Sequence, residues 1–157
     1  MTSYLIETVR SKFPDAVLET HSFRGDETVA VKKEALADVA AFLRDELGFD
    51  MLMDLTAADY LPREPRYELV CHFYSTKHNY RLRLKCPVGG EQPALASLTP
   101  LWPGANWFER EVWDMYGIKF EGHPDLRRVL MYDGFEGHPL RKDYPLKKRQ
   151  PRIAHRD

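Results

Sequence analysis

Apolar positions change their period several times along this chain, and each change marks a different element. Leu5, Ile6, Val9 and Phe13 share one helical face, and Pro14 ends that helix because its ring cannot continue the turn. Val17 to Phe23 and Thr28 to Val31 read as two strands about the turn Arg24-Gly25-Asp26-Glu27. Leu36, Val39, Ala40, Leu43 and Leu47 return to helical spacing, with Gly48 as the stop. Leu52 to Thr56 predicts a further strand, running into the loop that opens Asp59-Tyr60-Leu61-Pro62.

Between residues 67 and 86 the period drops to two. Tyr67, Leu69, Cys71 and Phe73 alternate with Glu68, Val70, His72 and Tyr74, and Tyr80, Leu82, Leu84 and Cys86 alternate with Arg81, Arg83 and Lys85. Matching the two apolar faces predicts a hairpin with Phe73 opposite Tyr80, Cys71 opposite Leu82 and Cys86 opposite Tyr67. The cysteines then share the core face too far apart to bond, and both are expected as reduced, buried side chains. Gly89-Gly90 closes the sheet region, Pro93 to Leu98 predicts a short helix, and Pro100 to Gly104 is a breaker-rich loop. Asn106 with Glu109 three residues on is a partial capping box. It opens a helix with Phe108, Val112 and Met115 inward, which runs to Tyr116 and stops at Gly117. Irregular structure is expected beyond Phe120, and the Lys- and Arg-rich last dozen residues are expected to be disordered in the isolated chain. The fold class that results is α+β. Helices pack on a mainly antiparallel sheet in two layers, with a globular part at 1–120 and an extended, charged docking segment at 121–157.

The chain has 157 residues, 43% hydrophobic and 30% charged, which suits one domain with its own core. No apolar run approaches the ~18–20 residues that span a bilayer, and no basic-then-apolar leader opens the chain. It is therefore expected in the cytosol, meeting a membrane only through partners. The net charge of −1 hides an asymmetry: from Arg127 onward nine Lys and Arg face four acids, a net +5, which leaves −6 on residues 1–126. A basic tail on an acidic body points to docking.

The basic region also holds a repeat. Phe120-Glu121-Gly122-His123-Pro124 recurs as Phe135-Glu136-Gly137-His138-Pro139, followed first by Asp125-Leu126-Arg127-Arg128 and then by Leu140-Arg141-Lys142-Asp143. Glycine and a His-Pro pair make each copy a shaped turn displaying charge. In the preceding helix, the dipole accounts for Glu109 and Glu111 near its start but not for Asp114 in its last turn. Arg110 is a weak partner by spacing, so Asp114 calls for Arg127 or Arg128. Glu111 and Asp114 could instead act as paired carboxylates, or bind metal with His123 and His138, as in a stand-alone carboxylate- or metal-dependent enzyme. No nucleophile, phosphate-cradling loop or His-x-x-x-His pair accompanies them. An RNA surface of Arg127, Arg128, Arg141 and Lys142 with Tyr132, Phe135 and Tyr144 is opposed by interleaved Asp125, Asp133, Glu136 and Asp143. Mixed signs on turns suit a protein partner. The candidate interface is Glu109, Arg110, Glu111, Asp114, His123, Asp125, Arg127, Arg128, His138, Arg141, Lys142 and Asp143. No residue is assigned to catalysis, a cofactor or a metal, and no nucleic-acid partner is expected.

Ala105-Asn106-Trp107-Phe108-Glu109-Arg110-Glu111, Trp113-Asp114-Met115-Tyr116-Gly117-Ile118, Phe120 to Leu130 and Gly137-His138-Pro139-Leu140-Arg141-Lys142-Asp143-Tyr144-Pro145 resemble the 30 kDa family, the C subunits of respiratory complex I, NADH:quinone oxidoreductase. A looser resemblance reaches back through Asp54-Leu55-Thr56-Ala57-Ala58-Asp59-Tyr60 and the hairpin, and Tyr116 stands where the family commonly has Phe. The resemblance implies an α+β, non-catalytic core subunit of the hydrophilic arm of a proton-translocating enzyme. It implies a peripheral position on the cytoplasmic side of the cell inner membrane, beside the quinone-site D subunit and the iron–sulfur B and I subunits. NADH, FMN, iron–sulfur clusters and quinone would all sit on other subunits, with none bound by this chain. Related membrane-bound hydrogenases and other quinone-reducing complexes use similar subunits. Because the chain stops soon after the basic tail, a stand-alone C subunit without a fused D subunit is expected.

Overall fold

A computed structural model describes residues 4–150. Helix α1 (Tyr4–Lys12) buries Leu5, Ile6 and Val9, the stripe its spacing predicts. Strands β1 (Val17–Phe23) and β2 (Asp26–Val31) form a hairpin, and a 3-10 turn at Lys33–Ala35 leads into α2 (Leu36–Asp45). Then come β3 (Met51–Asp59), β4 (Tyr67–Ser75), β5 (Tyr80–Val88), β6 (Ala94–Ala96), α3 (Ala105–Tyr116) and β7 (Lys119–Glu121). The main sheet has the order β1-β2-β5-β4-β3, and every pairing is antiparallel except β2 with β5. Inward residues of β4 and β5 join side chains of all three helices in one core. The alternate residues Glu68, Val70, His72 and Tyr74 stay half-buried, so among the described residues no second layer covers the other face. Among the described residues no helix is long and apolar enough to cross a membrane.

Strand β3 breaks simple alternation for a visible reason. Leu52 and Leu55 are both buried although three apart, and the register with β4 shifts between Leu52 and Asp54. A bulge inserts one residue and turns the rest of the strand over, so that Leu55, Ala57 and Asp59 all point inward.

Three expectations need correction. The β4–β5 register differs by two residues: Phe73 lies opposite Leu82, Cys71 opposite Leu84 and Leu69 opposite Cys86. A two-residue slip leaves every side chain on its own face, so the apolar pattern cannot detect it. A four-residue loop, Thr76 to Asn79, joins the strands in the observed register, with Asn79 in the left-handed region at φ 54° closing the turn. Both cysteines are free and buried. The expected helix at Pro93 to Leu98 is instead β6, paired in parallel with β7, and Ser97 N–H donates to Glu121 O at 2.8 Å. The partner strand comes from beyond α3, where local pattern gives no hint of it. Finally, α3 starts at Ala105 with Gly104 at the cap position, so Asn106 is not the cap. The far end is as expected: Gly117, at φ 76°, donates to Trp113 O at 2.8 Å.

Beyond β7 the described chain is turns only. Lys148 N–H donates to Pro145 O at 3.0 Å, and Gln150 Nε2 donates to Tyr144 OH at 2.5 Å. The expectation of a disordered tail falls largely on residues 151–157, outside the described residues.

Candidate functional site

The charged residues singled out from the sequence gather along α3, and most of them hold the irregular segment 122–150 against it. Asp114 is fully buried on the last turn of the helix. Its Oδ2 accepts the backbone N–H groups of Val129, Leu130 and Met131 at 3.1, 2.9 and 2.9 Å. Its Oδ1 accepts Arg128 Nη1 at 2.5 Å. Burial opposes ionisation, but the Met131 amide, the Arg128 guanidinium and the other amides outweigh it and hold the carboxyl below its ordinary value. The requirement for a cation from 127 or 128 is met by Arg128, which also reaches Gly137 O at 3.0 Å and lies between Trp113 and Phe135. Arg110 turns away from Asp114 and donates to the carbonyls of Arg127 and Arg128 at 3.1 and 3.0 Å.

The two repeated turns grip opposite ends of this helix. His123 Nδ1 accepts Asp125 N–H at 3.0 Å, which leaves Nε2 to donate to Asn106 O at 3.2 Å. In the second copy, His138 Nδ1 meets Asp114 O at 3.0 Å, Leu140 N–H donates to Met115 O at 3.1 Å and Arg141 Nε donates to Tyr116 O at 2.5 Å. Those three carbonyls are orphans of the helix end, and the second turn satisfies all of them. Burial lowers the His138 pKa. Gly117 makes this approach possible: a Cβ there would meet the His138 ring at 2.6 Å and collide with Arg141 Nη2.

A second buried carboxylate, Asp59, ties down the next stretch. Arg66 grips it with Nε at 2.9 Å and Nη2 at 2.7 Å, while Lys142 N–H and Leu61 N–H donate at 2.8 and 3.0 Å. Burial pushes the Asp59 pKa up, yet these donors together bring it down to about 2. The other edge of the Arg66 fork holds Asp143 at 2.7 and 3.1 Å, so one guanidinium bridges two carboxylates. The sequence pattern did not single out Asp59 and Arg66. The available signal was parity, because an aspartate continuing the inward row Leu55, Ala57 occupies a core position and needs a partner.

Glu109 does something different from its expected service to the helix dipole. It lies in the second turn of α3, has no exposure, and meets no cation among the described residues. Leu98 N–H and Ser97 Oγ donate to it at 2.6 and 2.7 Å, joining α3 to the segment after β6. Burial pushes its pKa up to about 7 against those two bonds.

Among the named residues Glu111, Asp125, Arg127 and Lys142 present side chains to solvent, with Asp125 and Arg127 paired at 2.8 Å. The enzyme alternative finds no geometry here. The acceptor positions of Asp114 are taken by four donors, Glu111 faces outward, and the carbonyls that hold His123 and His138 lie eight residues apart, ~12 Å along the helix. Among the described residues no group of three or more His, Cys, Asp or Glu is placed to hold a metal ion.

An α+β domain that commits its charges to pinning an extended segment, and leaves mixed charges and apolar side chains outside, has the build of an assembly subunit. The chain belongs to the family described as the 30 Kd subunit of respiratory-chain NADH dehydrogenase, whose pattern matches residues 29–150. It is 52% identical over 144 residues to the NADH-quinone oxidoreductase C subunit of Roseiflexus sp. (strain RS-1), covering 90% of this chain and 83% of that relative. It is 46% identical over 138 residues to the same subunit of Geotalea uraniireducens (strain Rf4), covering 88% and 84%. Among solved structures, the trypsin-resistant fragment (1-134) of Nqo5 superposes with a TM-score of 0.69 at 32% identity, over 78% of this chain and 96% of the fragment. The fold is also shared, at 23% identity and a TM-score of 0.79, with a chain of an archaeal membrane-bound sulfane sulfur reductase, over 91% of this chain and 85% of that one.

Proposed function

We propose that this chain is a non-catalytic subunit of the hydrophilic arm of a proton-translocating NADH:quinone oxidoreductase. It would be peripheral, on the cytoplasmic side of the inner membrane, with the quinone-site D subunit and the iron–sulfur B and I subunits as neighbours. The observation that carries this reading is the extent of the family match, which runs to residue 150 and so takes in both turns and both buried-carboxylate anchors. Physically, the anchors make an otherwise irregular segment rigid before any partner arrives, which lowers the ordering cost of association. What the segment and α3 leave exposed is interface-like. Arg127, Lys142, Asp125 and Glu111 supply charges of both signs, while Trp107, Leu130 and Leu140 are exposed at 62%, 57% and 50%.

On this reading the electrons pass from NADH through FMN and iron–sulfur clusters to quinone on other subunits. This chain contributes position, not redox chemistry. Deleting it from cells should abolish NADH-driven quinone reduction by their membranes, and restoring it should bring the activity back. Purified alone, it should hold no stoichiometric iron or zinc by elemental analysis. Undiminished NADH-driven reduction in the deletion strain would overturn the proposal.

A further inference from the structure

Strand β3 is the last strand of the main sheet, so among the described residues one side of its backbone has no strand neighbour. An open edge of this kind is a template for pairing unless something blunts it. Here a groove lies along it, lined by Ala57, Ala58, Asp59 and Tyr60 on the strand side and by Tyr116, Leu140 and Lys142 on the other. The strand side offers two alanines, small enough for another backbone to approach. Around the groove Tyr60 and Leu61 are each 41% exposed, and Leu140 50%.

Both walls are fixed by the bonds described above. Asp59 takes the amides of Leu61 and Lys142, and the Leu140 amide is held by Met115 O. Leu140 is therefore kept outward by its own backbone. Lys142 makes no ion pair among the described residues.

Resting on the reading of the chain as a complex I subunit, we infer that this groove receives an extended segment of a neighbouring subunit, added as a strand to the free edge of β3. The segment has an apolar side chain between Tyr60 and Leu140 and a carboxylate facing Lys142. The open backbone supplies affinity, and the apolar wall and the lysine supply register.

The test compares the free subunit with the assembled complex. Amide hydrogen exchange at residues 57–60 should slow on assembly. Leu140→Glu should leave the melting of the free subunit unchanged yet weaken assembly by roughly 30-fold, the loss expected of a central apolar anchor. Lys142→Glu, also at an exposed position, should weaken assembly in the same direction. A complex that forms with exchange at 57–60 unchanged, or that tolerates both substitutions, overturns the inference. Cross-linking from Leu61 to a second copy of this chain would overturn it too. If the wild-type chain joins no complex I subunits, the functional reading fails first and takes this one with it.

Discussion

Glu109 gives the sharpest physical prediction, because it is a buried carboxyl with two donors and, among the described residues, no cation. Its pKa is about 7 in the fold against an ordinary 4.5. A raised carboxyl pKa means the fold binds the proton more tightly than the unfolded chain does. The associated stability is fully present below pH 4.5, is lost as pH rises toward 7, and is absent above that. At 1.36 kcal/mol per pKa unit the loss is about 3 kcal/mol. Glu109→Gln removes the titration and keeps most of the bonding. The amide oxygen accepts Leu98 N–H, and the amide nitrogen donates to Ser97 Oγ, which passes its own proton to Thr99 Oγ1, 2.7 Å away. One amide hydrogen is left without an acceptor, a cost of about 1 kcal/mol. The variant should therefore be less stable than wild type by about 1 kcal/mol at pH 4.5 and more stable by about 1–2 kcal/mol at pH 8. Urea unfolding of both proteins at the two pH values measures this. His72 and His138, whose pKa values burial lowers, are present in both proteins and cancel in the difference, and burial holds the neighbouring Cys71 thiol neutral. A variant less stable than wild type by the same amount at both pH values would refute the reasoning.

The other predictions concern the anchors. Asp114→Ala strands three amides and a guanidinium, and should cost about 3–5 kcal/mol in urea unfolding, with loss of exchange protection at residues 129–131. Arg127→Ala, at a side chain 71% exposed, should change stability by less than about 0.5 kcal/mol. Gly117→Ala combines a left-handed φ of 76° with collision against His138 and Arg141, and should cost about 2–4 kcal/mol by thermal melting. For Asp59, depressed to about 2, the sign is opposite to that of Glu109. Its stabilisation is present above pH 3.8 and is lost as pH falls through 2, so Asp59→Asn should flatten the acid limb of the stability profile.

Most of the sheet and all three helices are legible in the sequence because each buries one face, and one-face burial writes its period into the chain. What the pattern could not carry was non-local. Strand β6 exists because β7 returns beside it after α3, and the hairpin register depends on loop geometry to which the two-residue period is blind. The candidate site was legible as a region and as a set of residue types, down to the cation from 127 or 128 for Asp114. The division of labour within it was not. His138 and Arg141 look like displayed charge, yet they are spent on the carbonyls at the end of α3, since only the fold brings the second turn there. Glu109 looks like a dipole partner until the segment after β6 folds over it.

A partner-docking subunit of complex I should travel with the rest of the enzyme. Affinity capture of the full chain from mildly solubilised membranes of cells respiring on NADH tests it most directly. Quinone-site and iron–sulfur subunits should come down with it in stoichiometric amounts, together with NADH-oxidising activity. Recovery of the chain alone, with those subunits assembled elsewhere without it, would rule that role out.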